Sequence, residues 1–216
     1  MEAIVSKIAI FGATGSIGQS IAAALRATGQ PYRVVGRSRT ALETQYGADP
    51  LAEIVTWNPD NSDSVRAAAQ NIETIVYTVG VPYTDFYLHP ILMRKTLAGA
   101  ISAGVKQLLL IGTIYPCGRP QTDRIREDHP RAPHTVKGQM RKEQEDVLLE
   151  ADAAGSIRGA ILRLPDFYGP HVELSFMHSA FQAAVNGQQA QLISPIDTPH
   201  EFMFVPDVGA VAIAMV

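Results

Sequence analysis

Three glycines spaced three residues apart follow the first apolar run of the chain. The run covers residues 4–11, and Gly12, Gly15 and Gly18 lead from it into an alanine-rich stretch typical of a helix. A strand, a glycine turn and a helix in this order form a unit whose turn binds pyrophosphate through backbone amides. Gly12 would permit the tight turn, Gly15 the approach of the phosphates, and Gly18 the packing of helix on strand. The sequence therefore predicts a dinucleotide-binding βα unit.

The other turn residues would complete this phosphate site. Thr14 and Ser16 offer hydroxyls and amides, and Ile17 offers apolar cover. A glycine-rich turn without a ligand is the alternative. The position of the turn between a predicted strand and a predicted helix favours the ligand site.

The same pattern continues along the chain. Strands are predicted at 32–36, 54–57, 74–79, 107–111, 158–164 and 202–205, and helices at 62–70, 91–103, 137–154, 175–186 and 207–215, the last capped by Asp207. Strands that are apolar throughout, separated by helices, are typical of a parallel sheet covered on both faces. We therefore expect an α/β fold with a doubly wound parallel sheet, a Rossmann fold.

The domain organisation follows from length and local composition. The 216 residues are predicted to form one domain, 1–216, in which 165–200 contribute a small substrate-binding lobe. The segment 115–133, rich in proline and charge, is predicted to be a substrate-facing loop. Because the chain ends inside an apolar helical segment, we expect the C-terminal lobe to be short or truncated.

Composition excludes several function classes. The net charge of -3 is dispersed, which indicates neither nucleic acid nor a membrane surface as a partner. A single cysteine, Cys117, excludes an intramolecular disulfide framework, and no Cys/His spacing indicates a metal site. We expect a soluble, cytoplasmic monomer or homodimer that binds a small molecule.

The end of the second predicted strand indicates the choice of cofactor. A carboxylate there would hold a ribose 2′-hydroxyl, whereas an arginine would hold a 2′-phosphate. The sequence has Arg37 and Arg39 at this point and no acid. We therefore expect NADP in preference to NAD, with Arg37 on the phosphate; the alternative is that both arginines are solvated loop cations.

These segments together resemble the short-chain dehydrogenase/reductase superfamily, in its extended and atypical branches that include NAD-dependent epimerases and dehydratases. The segments that carry the resemblance are 12–18, AGVK at 103–106, LRLPDFYGP at 162–170 and EFMFVPDV at 201–208. The resemblance implies that Thr78, Val79 and Gly80 line the cofactor. It also implies that Pro165 and the residues up to Tyr168 lie near the nicotinamide and the substrate.

The chain departs from the superfamily at the catalytic helix. The superfamily carries Tyr-x-x-x-Lys there, but no tyrosine in 134–145 stands four residues before a lysine. The best register places Lys137 at the tyrosine position and Arg141 at the lysine position, with Glu145 matching a glutamate common in the family. Lys137 would act as the acid or base if burial beside Arg141 loosened its proton. Alternatively, both are cofactor contacts or surface cations.

Other residues near the predicted site are secondary candidates. Thr113 matches the superfamily's Ser/Thr and would bond a substrate carbonyl, or it is simply a threonine at a strand end. Tyr115 would supply the missing phenol from another direction, or it is a packed aromatic. Tyr83, Asp85 and Tyr87 follow the fourth strand at the ligand-binding edge of such a sheet, with solvated loop residues as the default.

The sequence thus predicts an NADP-dependent oxidoreductase or epimerase-like enzyme for a small carbonyl- or hydroxyl-bearing substrate. Because the tyrosine is missing, a non-catalytic NADP(H)-binding redox sensor or regulatory protein is the alternative. An assembly role with a structural cofactor is a third reading, which no sequence feature favours.

Overall fold

The computed structural model describes residues 7–172, 175–192, 195 and 197–216. The strands are β1 Ile8–Phe11, β2 Tyr32–Gly36, β3 Ala52–Thr56, β4 Thr74–Tyr77, β5 Gln107–Thr113, β6 Arg158–Leu164, β7 Asp166–Tyr168 and β8 Phe202–Phe204. The helices are α1 Ser16–Ala27, α2 Arg39–Tyr46, α3 Ser62–Ala69, α4 Leu88–Ser102, α5 Val136–Ala153, α6 His178–Val185 and α7 Val205–Ile213. Short 3₁₀ turns are present at Tyr83–Asp85 and Tyr115–Cys117.

The main sheet confirms the predicted doubly wound architecture. Its six strands are parallel in the order β3-β2-β1-β4-β5-β6. The chain adds strands to one side of β1 and then, from β4, to the other side. Ligands of such sheets bind at the carboxyl ends of the strands where the order reverses, here beside β1 and β4. A second, parallel pair is formed by β7 and β8.

Alternate residues of the strands pack into two cores, one on each face of the sheet. On one face Ile10, Val34 and Leu109 pack with residues of α1 and α7. On the other, Phe11, Tyr77 and Leu110 pack with residues of α3, α4 and α5. This explains why the central strands are apolar throughout: both of their faces are buried.

Several elements differ from the sequence-based prediction. Helix α2 and strand β7 were not predicted. Helix α7 begins at Val205 with Phe204 at the N-cap, so Asp207 lies in the first turn and the prediction that it caps the helix was wrong. Residues 4–6 of the first apolar run and 173, 174, 193, 194 and 196 of the predicted substrate lobe lie outside the described residues.

The predicted loop after β5 begins with the 3₁₀ turn and is closed on itself. Gly118 and Ala132 form an isolated bridge, and a Cβ on Gly118 would lie 2.0 Å from the Ala132 carbonyl oxygen. Arg131 then ties the end of the loop to α5, with Nη1 2.7 Å from the Asp146 carboxylate. The loop is therefore anchored at both ends beside α5.

Candidate functional site

The glycine turn lies at the carboxyl end of β1 and leaves the start of α1 open. Gly15 is the N-cap of α1, and no side chain of the described residues caps this helix. First-turn amides have no intrahelical acceptor, and they carry the positive end of the helix dipole. The hydroxyl of Tyr46 donates a buried hydrogen bond of 2.6 Å to the Ala13 carbonyl and so stabilises the turn. The arrangement offers backbone donors for a phosphate.

The three glycines serve different purposes. Gly12 has φ +90°, and a Cβ there would lie 2.7 Å from Thr78 Oγ1. A Cβ on Gly18 would lie 2.7 Å from the Ala13 backbone, so both positions need glycine for the fold itself. At Gly15 an added Cβ would meet only the Gly12 carbonyl, at 3.6 Å. The folded chain leaves the space beside Gly15 open, which is where the phosphates of a dinucleotide would fit.

At the end of β2 the two arginines differ in their surroundings. Arg39 pairs with Glu43, its neighbour one turn along α2, over 2.8 Å. Arg37 is exposed and forms no ion pair within the described residues. Of the two, Arg37 has its guanidinium available for a ligand at this strand end.

The residues after β4 line the opposite side of the turn. The Thr78 hydroxyl is 3.0 Å from both the Phe11 and the Gly12 carbonyl oxygens, so it holds the turn in place. Val79 is half-buried and Gly80 is exposed. The 3₁₀ turn of Tyr83 comes next, at the same edge of the sheet.

Lys137 lies over two aromatic rings at this edge. Its Nζ lies 3.8 Å from the centre of the Tyr83 ring and 5.7 Å from that of Phe86. A cation over an aromatic face is favourable by about 0.5–1 kcal/mol at exposed sites. The Tyr83 phenol in turn lies near that of Tyr115 and contributes to raising its pKa. Tyr83 therefore stands between Lys137 and Tyr115.

Tyr115 is held close to the start of α5. Its backbone amide donates to Thr113 Oγ1 over 2.9 Å, and a Cβ on Gly138 would lie 2.8 Å from its carbonyl oxygen. Burial, together with the neighbouring Tyr83 and the Asp166 carboxylate, raises the pKa of the Tyr115 phenol to about 12. Tyr115 is thus a protonated hydrogen-bond donor at neutral pH.

Arg141 is buried and contacts β5 and α4. Its Nη2 donates to the Ile111 carbonyl over 3.1 Å, and its Nη1 lies 3.1 Å from Nδ1 of His89. Burial lowers the pKa of Arg141 to about 10, and burial next to Arg141 lowers that of His89 to about 3. His89 is therefore a neutral acceptor for a charged guanidinium.

The burial that a role of Lys137 as acid or base assumed is not found, since Lys137 is exposed. Lys137 lies in the first turn of α5 and approaches the Tyr83 ring, whereas Arg141, one turn further along the helix, is buried. The sequence placed both residues on one helix one turn apart, but it did not show which side faces the sheet. His89 was missed altogether, since a lone histidine in an apolar helix gives no signal of its partner.

Glu145 lies one turn beyond Arg141 in α5 and forms ion pairs with two arginines of neighbouring segments. Arg163 of β6 holds its carboxylate through two hydrogen bonds, of 2.9 and 2.8 Å, and Arg131 lies 3.4 Å away. Pro165, half-buried, follows β6, and Asp166 then faces Tyr115. These contacts fix α5 and the 3₁₀ turn of Tyr115 against β6.

Two cavities open near these elements. One, of about 530 Å³, lies within the 115–133 loop and is lined by residues including Arg126 and His129. The other, of about 390 Å³, is lined mainly by aromatic residues of β7, α6 and β8, among them Tyr168, Phe181 and Phe204. Neither is lined by Thr113, Lys137 or Pro165.

Within the described residues no helix is long and apolar enough to cross a membrane.

Two proteins of known activity are similar to this chain in sequence. The dTDP-6-deoxy-L-talose 4-dehydrogenase (NAD(P)(+)) of Kitasatospora kifunensis is 27% identical over 219 residues, which cover 94% of this chain and 67% of that protein. The UDP-glucose 4-epimerase of Azospirillum brasilense is 28% identical over 167 residues, which cover 73% of this chain and 48% of that protein. This chain thus spans about two thirds and about half of the two relatives' lengths.

A solved structure and a family profile extend the likeness to almost the whole chain. UDP-glucuronic acid 4-epimerase from Bacillus cereus, solved with UDP-glucuronic acid and NAD, superposes with a TM-score of 0.82. It is 16% identical, and the match covers 96% of this chain and 72% of that one. The profile of the NAD dependent epimerase/dehydratase family matches residues 8–216, and the chain belongs to that family.

Proposed function

We propose that this protein is an NAD(P)-dependent oxidoreductase or epimerase-type enzyme that acts on a sugar carried by a nucleoside diphosphate. The observation that carries the proposal is the contact of Lys137 with Tyr83 and, through it, Tyr115, at the ligand-binding edge beside an open glycine turn. Proton donors and a phosphate site at one edge of the sheet suit hydride transfer from a carbinol carbon to the nicotinamide, or from the nicotinamide to a carbonyl carbon.

The cofactor would be held mainly by the chain's backbone. The amides of Ser16 and Ile17 would hold the pyrophosphate, with Thr14 beside them and Gly15 providing the space. Thr78, Val79 and Gly80 would line the other side, and Pro165 the nicotinamide end. The bound nicotinamide supplies the hydride acceptor or donor.

NADP is the proposed form of the cofactor. Support comes from the absence of an acid after β2 and from the exposed Arg37, which forms no ion pair within the described residues. A charge-assisted contact with a 2′-phosphate is worth about 1.5–3 kcal/mol, or roughly ten- to hundredfold in affinity. The two named nucleotide-sugar relatives and the NAD-bound structure support a nicotinamide cofactor in general.

Lys137 is the proposed proton donor and acceptor at the substrate oxygen. The exposed ammonium is free to reach a ligand, while the Tyr83 ring holds it at the site edge. The half-buried Thr113 would hydrogen-bond the same oxygen, and Tyr115 would add a phenol donor. Arg141 is proposed to act without touching the substrate, as a buried positive charge that favours negative charge on the substrate oxygen.

A comparison of Lys137→Ala with the wild type tests this proposal. Reduction or oxidation of the nicotinamide is followed by absorbance with dTDP- and UDP-linked hexoses, and cofactor affinity is measured by calorimetry. We expect turnover to fall roughly 10²- to 10⁴-fold, the usual size of acid–base assistance, with unchanged cofactor affinity. Lys106→Ala, a lysine at the other end of β5 that pairs with Glu73, is the control and should leave turnover unchanged.

Two results would count against the proposal. Turnover retained by Lys137→Ala would exclude lysine as the acid. Tight cofactor binding without turnover of any nucleotide sugar by the wild type would instead favour the non-catalytic sensor.

A further inference from the structure

A histidine and an aspartate form an ion pair at the edge of the site. Asp166 begins β7 directly after Pro165, and His200 stands two residues before β8. His200 Nε2 lies 2.8 Å from Asp166 Oδ2, with 39% and 28% of the two side chains exposed. The pair is therefore accessible to a ligand but partly shielded from water.

The His200 ring is fixed in orientation by its neighbours. It stacks on Phe202 with 4.5 Å between ring centres, and Phe176 approaches edge-on at 6.1 Å. Because Asp166 accepts from Nε2–H, the neutral imidazole carries its lone pair on Nδ1. Nδ1 has no hydrogen-bond partner within the described part of the chain. An imidazole oriented by a carboxylate in this way is a common arrangement for a general base.

The pair lies near Tyr115 and near a cavity. The Asp166 carboxylate is one of the groups that raise the pKa of the Tyr115 phenol. The cavity of about 390 Å³ is lined by Tyr168 of β7, the strand that begins with Asp166, and by Phe204 of β8, the strand that follows His200. A ligand in this cavity would therefore contact the two strands that position the pair.

We propose that His200, held by the positioning residue Asp166, is a second acid–base residue that removes a proton from a carbon next to a carbonyl of a nucleotide-linked ketosugar. This inference rests on the proposed function for its substrate class. The C–H bond breaks, its electron pair forms the enolate, and Nδ1 takes the proton to give an imidazolium paired with Asp166. Return of the proton, or of one exchanged with solvent, restores the ketone, so no oxidant is consumed.

Exchange of hydrogen for deuterium tests the proposal without cofactor turnover. The probe is a dTDP-linked 4-keto-6-deoxyhexose in D₂O, and mass spectrometry measures deuterium gained next to the carbonyl. We expect wild type to catalyse exchange and His200→Gln to slow it roughly 10²- to 10⁴-fold. Asp166→Asn should slow it less than His200→Gln and change the pH profile of exchange, because the imidazole keeps its basic nitrogen but loses its charged partner.

Controls separate this role from a structural one. Lys95→Gln removes an exposed ion pair between Lys95 of α4 and Asp60, in the turn before α3, and should leave exchange unchanged. Calorimetric NADPH binding and thermal unfolding show whether each variant is folded. Wild-type exchange that His200→Gln retains, absence of exchange by the wild type, or loss of exchange only in step with loss of folding would each overturn the proposal. Lys137-dependent turnover of nucleotide sugars with normal exchange in His200→Gln would leave the proposed function intact.

Discussion

The end of β2 allows the cofactor preference to be tested at one side chain. Arg37→Ala should weaken NADPH binding roughly ten- to hundredfold and leave NADH binding nearly unchanged, because only the 2′-phosphate loses a charge-assisted contact. Calorimetric titration of both cofactors gives the two affinities. Arg39→Ala is a matched control, since Arg39 already pairs with Glu43. Equal losses for NADPH and NADH in Arg37→Ala would contradict the preference for NADP.

His89 couples the stability of the fold to pH. The pKa of His89 is about 3 in the folded chain, lowered by burial and by Arg141, whereas an unfolded histidine has a pKa of about 6.5. Between these values only the unfolded state binds the proton, so stability falls as the pH is lowered below about 6.5. His89→Gln retains an acceptor for Arg141 and removes this dependence.

Urea unfolding near pH 7 and pH 5 measures the effect of His89. From pH 7 to pH 5 the unfolding free energy of His89→Gln should fall by about 2 kcal/mol less than that of the wild type. The exposed His134 provides the control variant, His134→Gln, which should follow the wild-type pH dependence. A wild-type slope in His89→Gln would show that His89 is not kept neutral by the fold.

The site residues that could be predicted from the sequence are those whose partners are close to them in the chain. The turn of Gly12, Gly15 and Gly18 could be located from the sequence because the three glycines are close together in the chain and follow a strand. The contact of Lys137 with Tyr83 and the pairing of Asp166 with His200 join segments far apart in sequence. No periodicity predicts which loop side chains meet, so these contacts emerged only in the folded chain.

At the scale of elements, the packing of α7 on α1 depends on one glycine. A Cβ on Gly209 would lie 2.2 Å from the Ser20 carbonyl oxygen, and the Gly209 amide donates to Ser20 Oγ over 2.9 Å. Helix propensity alone would make Gly209→Ala stabilising by roughly 0.5–1 kcal/mol. We expect destabilisation by about 1–3 kcal/mol instead, as for overpacked cores. Urea unfolding shows whether Gly209→Ala raises or lowers the free energy of unfolding.

A second substitution on the same helix isolates the steric effect at Gly209. Ala210→Ser adds one heavy atom at an exposed position and should change stability by less than about 0.5 kcal/mol. Stabilisation by Gly209→Ala would mean that α7 does not pack against α1 as closely as described.

The strands β2 and β6 were predictable, whereas α2 and β7 were not. The bounds of β2 and β6 agree with the prediction, because both are rich in apolar residues and have a proline at one end, Pro31 before β2 and Pro165 after β6. Helix α2 has only eight residues, of which just Leu42 and Tyr46 are buried, so its apolar signal is weak. Strand β7 has three residues and pairs only with β8, a contact distant in sequence.

At the scale of the whole molecule, folding and cofactor binding can be separated at the glycine turn. Gly18→Ala should destabilise the chain, because the added Cβ would lie 2.7 Å from the Ala13 backbone. Gly15→Val should leave the stability of the free protein little changed, since the first added atom has only the Gly12 carbonyl oxygen nearby, at 3.6 Å. The added side chain would occupy the space beside the first turn of α1.

NADPH should stabilise the whole wild-type chain, since the site proposed for it lies at the ends of β1, β2 and β4, which are neighbours in the sheet. At a ligand concentration of 100 times Kd, the gain is about 2.7 kcal/mol. Thermal unfolding with and without NADPH should show this gain in the wild type and little or none in Gly15→Val, because the phosphates can no longer approach the helix amides. An undiminished shift in Gly15→Val would place the cofactor away from the glycine turn and remove the basis on which Lys137 is assigned its role.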